Sequence, residues 1–239
     1  MEASTHYRPL YRQVYDFVVK QISESAWRPS EALPSEQALA EQLKVSQGTV
    51  RKALDALAVE KLIERRQGKG TYVAEHTQER ALFRFFRLAE PGGARTLPTS
   101  TDESVKRRPA RAAELRKLGL AKGEQVVEIL RTRLVGGQPV IFERNILPLR
   151  YFPDIDRKQP LPNTLYAMFQ QDYGINIVSA EEELRADAAG PEDVRRLPLA
   201  LGAPLLQIER VAIALDGSRV EWRLSRCDTS RLVYAVTLS

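Results

Sequence analysis

Residues 45–57 read VSQGTVRKALDAL, and this stretch decides the fold of the N-terminal part. Ser46 suits a helix N-cap, because its hydroxyl can accept a bond from a first-turn amide that has no partner within the helix. Val50, Ala53, Leu54 and Leu57 follow at the three-and-four spacing of one buried helical face. The start of the helix is polar: Ser46, Gln47, Gly48, Thr49, Arg51 and Lys52 offer hydroxyls, an amide, a close-approach glycine and two cations. A helix that begins this way can enter the major groove, where Gln bonds adenine and Arg bonds guanine or a phosphate.

The flanking residues give this helix its setting. Before it, Leu33-Pro34-Ser35 leads into a second helix capped by Ser35, with Ala38, Leu39 and Leu43 expected to be buried. Val45-Ser46 leaves room only for a tight turn between the two, the outline of a helix-turn-helix. Earlier still, Pro9 opens a helix at its first turn; Val14, Phe17, Val18 and Ile22 share its apolar face, and Pro29 follows its end. After the central helix, residues 61–66 read as a strand, Gln67-Gly68-Lys69-Gly70 as a turn, and Thr71-Tyr72-Val73 as the returning strand. Three helices and a hairpin in this order predict a winged helix-turn-helix over residues 1–74. Its wing tip supplies Arg65, Arg66, Gly68, Lys69, Gly70 and Thr71, cations and glycines suited to approaching a duplex.

Residues 75–80 read as a linker and 81–239 as a second domain. Pro91-Gly92-Gly93 and Thr96 to Asp102 show no apolar period and predict loops. Beyond Val105 the chain alternates strands and helices: a helix over 110–118 ended by Gly119, strands over 126–135 and 140–147 around Gly136-Gly137, and a helix over 163–173 ended by Gly174. A strand over 175–186, a short helix from Pro191, strands over 205–215 and 219–225 around Asp216-Gly217, and a closing strand over 232–238 complete it. The expected fold class is α+β: a winged helix-turn-helix followed by an antiparallel-sheet domain.

Composition narrows the function. The 239 residues are 43% hydrophobic and 28% charged, a globular balance. No apolar run nears the roughly 20 residues of a membrane helix, and the first ten residues lack the order of a secretory signal. One cysteine and two histidines argue against a disulfide or metal site. The expectation is a cytoplasmic protein with no metal, no cofactor and no membrane partner. Net charge is +5, of which residues 1–74 hold +2, from 11 Lys and Arg against 9 Asp and Glu. Charge alone therefore does not single out DNA; the placement of the cations does.

In the second domain Arg131 and Arg133 lie two apart on a predicted strand and so share a face. Such a pair suits a carboxylate or phosphate. Glu143, on the partner strand, can hold a ligand hydroxyl or amine, or neutralise an arginine. Glu221 and Arg223 repeat the same-face arrangement. The bland alternative for all of them is the wet face of a half-buried sheet.

Leu33-Pro34-Ser35-Glu36-Gln37-Ala38-Leu39-Ala40, the stretch 45–54, and Gly68-Lys69-Gly70-Thr71-Tyr72-Val73 resemble the GntR family of bacterial regulators. The resemblance implies a homodimer on near-palindromic double-stranded operator DNA. It also implies DNA contact by Ser35, Gln37, Ser46, Gln47, Thr49, Arg51 and Gly70. Many family members carry Arg where this chain has Gln37 and Gln47, and each change removes a guanidinium fork. Arg131-Thr132-Arg133, Glu143-Arg144, Leu165-Tyr166, Glu209-Arg210 and Val220-Glu221, with Tyr234, resemble the UTRA effector domain of HutC-type members, a chorismate-lyase-like fold. That resemblance implies effector binding at Arg131, Arg133, Glu143, Thr164, Tyr166, Glu221 and Tyr234. Sugar-phosphate sensors of this kind usually carry a Ser-Phe-Thr-Glu-Asp-like stretch where this chain has 82–88, LFRFFRL. The expected effector is therefore a small anionic metabolite, a carboxylate in preference to a sugar phosphate, acting on a repressor. A lyase-like enzyme is the rival reading, but no residue presents itself as a positioned acid or base, and no catalytic residue is assigned.

Overall fold

The computed structural model describes residues 8–24, 26–75, 86–93 and 96–237. The N-terminal part has α1 (Leu10–Ser23), α2 (Glu36–Leu43), α3 (Gln47–Val59), β1 (Ile63–Arg66) and β2 (Gly70–Val73). Val14, Val18 and Ile22 of α1, Leu39 and Ala40 of α2, and Val50, Ala53, Leu54 and Leu57 of α3 make one core with Leu62, Ile63 and Val73. Both serine caps form: Ser35 accepts from the Ala38 amide and Ser46 from the Thr49 amide, each at 3.1 Å. The α2–α3 turn is closed by Lys44 in the left-handed region and by the Val45 amide on the Ala40 carbonyl at 3.0 Å. In the wing, β1 and β2 pair antiparallel from Ile63↔Val73 to Arg66↔Gly70. Gly68 and Gly70 take positive φ there, the conformation glycine adopts most cheaply.

Local details depart from the sequence expectations. Pro9 is the N-cap of α1, outside its first turn. Ala38 is exposed and Ala40 takes the buried place, while Leu43 is half-buried; the apolar stripe of α2 runs one residue out of the expected phase. Lys61 sits in a turn at φ +60°, so the strand begins at Ile63.

The second part contains β3 (Leu88–Ala89), β4 (Thr99–Pro109), α4 (Ala112–Leu118), β5 (Gln125–Val135), β6 (Gln138–Pro148), a 3₁₀ turn (Ile155–Arg157) and α5 (Leu165–Tyr173). It continues with β7 (Ile177–Ala188), α6 (Pro191–Val194), β8 (Pro204–Ala214), β9 (Arg219–Cys227) and β10 (Val233–Tyr234). Six strands form an antiparallel sheet in the order β4-β5-β6-β9-β8-β7. Two stretches differ from expectation. Thr99 to Thr101, expected as loop, pair with Leu134 to Thr132 of β5; this end of β4 meets the arginine face of β5 and so carries no apolar period. The closing strand is only Val233–Tyr234, which pairs with β3 and not with the main sheet. Residues 76–80 of the expected linker and 82–85 of the LFRFFRL stretch lie outside the described residues.

On one sheet face, α5 buries Leu165, Tyr166, Met168 and Phe169 against Val127, Ile129, Leu147, Ala212 and Val220. Phe152 stacks on Phe169, ring centroids 4.3 Å apart. A different cluster joins Leu118 and Leu120, at and after the end of α4, to Val126 and Ile146. The start of α4 is fixed by Glu114, buried at 2% exposure, which accepts from the Arg111 amide at 2.7 Å and from Arg108 at 2.6 and 2.8 Å.

Burial pushes the Glu114 pKa up, but the bonds from Arg108 and Arg111 outweigh it and hold it below the usual carboxylate value. Its stabilising contribution is therefore complete above roughly pH 4.3, the unfolded value, and fades as pH falls through the lower folded one. Glu114→Gln should cost about 1.5–3 kcal/mol at pH 7, and the gap from the parent in urea melts should narrow at pH 3.

Candidate functional sites: a DNA-facing surface and a cation-lined cavity

The residues expected to meet DNA gather on one exposed region. Ser35, Gln37, Ser46, Gln47, Gly48, Arg51 and Lys52 are exposed and Thr49 is half-buried; in the wing, Arg65, Arg66, Gly68, Lys69 and Gly70 are exposed and Thr71 is half-buried. An ion network ties helix to wing. Glu36 Oε2 accepts from Arg51 at 2.9 and 3.0 Å, and Glu36 Oε1 faces Arg65 at 3.3 Å. Arg65 also pairs with Asp55 at 2.9 Å. The hydrogen bonds that Arg51 donates to Glu36 raise its pKa. Lys52 rests over the Tyr11 ring and Arg66 over the Tyr72 ring. Arg51, Arg65, Lys52 and Arg66 are thus oriented by neighbouring carboxylates and rings. Gln37 bonds Glu41 on its own helix at 3.1 Å.

The second site follows from strand register. Arg131 of β5, Glu143 of β6, Ser225 of β9 and Ile208 of β8 lie in one row across the sheet. The next row is Ile129, Asn145, Arg223 and Arg210, with Glu182 of β7 beyond. Side chains two apart on a strand share a face, so these rows and Arg133 pave a single floor. Above it is a cavity of about 790 Å³ with its open mouth included. Of the seven sequence-predicted effector positions, Arg131, Arg133, Glu143, Thr164, Tyr166 and Tyr234 line it.

Glu221 is placed otherwise. It shares the sheet face of Arg223 but does not line the cavity: it is fully buried, one oxygen held by Arg223 at 2.7 Å and the other by the Tyr166 hydroxyl at 2.7 Å. It can act on a ligand only through those two residues. The wall also includes Arg210, Arg223 and Asn163, which sequence reasoning left out of the site. Arg223 was visible as the same-face neighbour of Glu221. Arg210 was hidden because only the β8–β9 register brings it beside Arg223.

The two ends of the cavity differ electrostatically. At the β8–β9 end the cations are matched: Arg223 by Glu221, and Arg210 by Glu182, which also accepts from the Tyr234 hydroxyl. Burial pushes the Tyr234 phenol up to about 12, with Glu182 adding to the shift. The β5 end adds two more buried arginines. Arg131 donates to the carbonyls of Pro162 and Asn163 at 2.9 and 3.3 Å, and Arg133 to the Asn163 carbonyl and Ser100 hydroxyl at 2.9 and 2.7 Å. Glu143 lies 3.8 Å from Arg133 and 3.9 Å from Arg223, beyond hydrogen-bond reach of either. Burial pushes its pKa up, but the surrounding guanidiniums prevail and keep it below the usual range.

A winged helix with pre-oriented cations, joined to a sheet domain with a buried arginine cavity, defines a transcriptional regulator with a separate second domain. Family models agree: the model for bacterial regulatory proteins of the gntR family matches residues 10–73, and the UTRA domain model matches 95–232. The chain belongs to the GntR family, and its second domain is a UTRA domain. It is 31% identical to the histidine utilization repressor of Pseudomonas putida over 84% of this chain and 81% of that one. To the mannosyl-D-glycerate transport/metabolism system repressor MngR of Escherichia coli it is 28% identical, over 93% of each chain. A solved ligand-binding domain assigned to the GntR family, from Bordetella bronchiseptica, superposes with a TM-score of 0.60 at 30% identity, covering 65% of this chain and 98% of that one. The family and these relatives are transcriptional regulators, not enzymes. Among the described residues no helix is long and apolar enough to cross a membrane.

Tyr166→Phe removes the hydroxyl that satisfies one oxygen of the fully buried Glu221. Leaving that oxygen unpaired should cost about 1–3 kcal/mol, read as a lower urea midpoint with unchanged slope.

Proposed function

We propose that this chain is a repressor that leaves its operator when a small anionic metabolite, a carboxylate in preference to a sugar phosphate, enters the arginine cavity. The observation that carries this reading is that buried Arg131 and Arg133 share a face of the cavity and donate to the Pro162 and Asn163 carbonyls and the Ser100 hydroxyl. A carboxylate could replace those acceptors and add ion pairing, and its two oxygens suit the planar guanidinium fork in a bidentate grip. Thr164, the N-cap of α5, makes no side-chain capping bond, and a helix start of that kind favours an anion beside it. The cavity wall at residues 86–88 is Phe86, Arg87 and Leu88, which offers no hydroxyl to a phosphate. The two curated relatives are named for histidine and mannosyl-D-glycerate, compounds that each bear a carboxylate.

In this reading residues 1–74 form the DNA-binding domain, 75–80 the linker and 81–239 the effector and dimerisation domain. A homodimer would set two α3 helices on half-sites one helical turn apart, roughly 34–36 Å. Ligand binding would shift the population toward an orientation that cannot span them. The DNA contacts are those expected from the sequence, led by Gln47, Thr49 and Arg51 in the major groove and Gly70 at the wing.

The test is a gel-shift titration against the intergenic DNA beside the gene, with competitor DNA and moderate salt, followed by a random-sequence selection if no band forms. A discrete complex that survives competitor is expected, and Arg51→Ala should abolish it while leaving the fold intact. Carboxylates added to the complex should release DNA and raise the melting temperature of the free protein. Release by sugar phosphates alone would overturn the carboxylate assignment, tighter operator binding with ligand would overturn the repressor assignment, and undiminished binding by Arg51→Ala would misplace the recognition helix.

A further inference from the structure

Helix α5 touches both the cavity and the residue that follows the wing. Its N-terminal residues Thr164, Leu165 and Tyr166 line the cavity, and the Pro162 and Asn163 carbonyls just before it are those held by Arg131 and Arg133. At its other end lies Gln170, only 3% exposed on an otherwise apolar buried face. The Gln170 side-chain amide donates to the main-chain carbonyl of Ala74 at 2.9 Å and to the Asn176 side chain at 2.5 Å. Ala74 is the residue directly after the wing strand β2, and its amide bonds Leu62, just before β1, at 2.9 Å. One residue, Ala74, therefore joins the wing through its amide and the pocket helix through its carbonyl.

The contact is reinforced nearby. Gln171 faces Glu75 at 3.4 Å, Glu75 accepts from Ser30 at 2.9 Å, and Val178 and Leu215 pack against the winged-helix core. A nine-residue α-helix is a rigid rod of roughly 14 Å, so displacement of its first turn is felt at its last.

We propose that α5 transmits occupancy of the cavity to the wing and that Gln170 is the positioning residue through which it does so. The inference rests on the regulator reading above and names its internal route. An anion that takes Arg131 and Arg133 strips the Pro162 and Asn163 carbonyls of their donors. Buried carbonyls must regain partners, so the loop before α5 shifts and α5 shifts with it. The Gln170 amide then pulls on Ala74 or lets it go, and the wing, which carries Lys69 and Gly70, changes its place relative to the sheet.

The route can be tested in the full chain without ligand, by a double-variant cycle read by amide hydrogen exchange. Arg133→Met, and the milder Arg133→Lys, weaken the clamp on the loop; Gln170→Met removes the link; Gln170→Glu keeps its length but loses the donated N–H. Melting curves identify any variant that fails to fold, and Arg133→Lys with Gln170→Glu then carries the cycle. With Gln170 present, weakening the clamp should speed exchange across residues 62–75 several-fold. With Met or Glu at 170 the same change should leave that segment within about twofold. Equal acceleration in both backgrounds, no acceleration in either, or parent-like behaviour of Gln170→Glu would each overturn the proposal. Failure of the underlying reading looks different: an intact exchange cycle in a protein that selects no DNA sequence would sink the regulator and leave the coupling standing.

Discussion

Guanidinium groups cannot shed their charge inside a protein, so every buried arginine dictates what surrounds it. Here Arg131, at 1% exposure, and Arg133, at 8%, stand two apart on β5 and draw in the segment that precedes α5. That segment is held from the other side as well, by the Asn163 side chain on the Pro98 carbonyl at 2.7 Å. With its first turn fixed in this way, α5 lies along the sheet, Phe169 meets Phe152, and a cavity is left where the arginines begin. Cavity, helix placement and the contact with Ala74 thus share one electrostatic origin. Removing the arginines would not simply empty a binding site; it would free the loop that sets the helix.

The winged helix was legible almost residue by residue because each of its parts has a local signal. Caps are read from Ser35 and Ser46, buried faces from three-and-four spacing, and the wing from its glycines. What went astray there was phase, as with Ala38 and Ala40, where two small residues on a short helix leave the stripe ambiguous. The hairpins of the second domain were equally readable from Gly136-Gly137 and Asp216-Gly217. The pairing of those hairpins with each other was not. The β6–β9 contact joins residues more than 75 positions apart, and nothing local announces it. Hence Arg131, Arg133 and Glu143 could be grouped from spacing, while Arg210 needed the sheet. Glu221 was recognised through resemblance, but its full burial depends on Tyr166 and Arg223, which take its two oxygens. The role of Pro162 and Asn163 was invisible in principle, since they act through main-chain carbonyls.

The DNA-facing surface follows a related logic with weaker forces. Glu36 gathers Arg51 and Arg65 at the surface, where ion pairs contribute little to stability. What the carboxylate supplies is orientation: long side chains that would otherwise sample many rotamers are held near one another between α3 and the wing. If this surface meets DNA as proposed, a phosphate that took the place of the Glu36 carboxylate would exchange one anion for another, with little rearrangement of the cations.

The sheet order β4-β5-β6-β9-β8-β7 also has a consequence for the life of the chain before it is finished. Hairpins β5–β6 and β8–β9 can each close as soon as they are made, but the seam between β6 and β9 must wait until residues 219–227 have been made. The cavity straddles that seam, with Arg131 and Glu143 on one side and Arg223 and Arg210 on the other. A partly made chain therefore has two half-sites and no receptor. Long-range closure of this kind slows folding, and any ligand that bridged the seam would act as a staple between two hairpins that form apart.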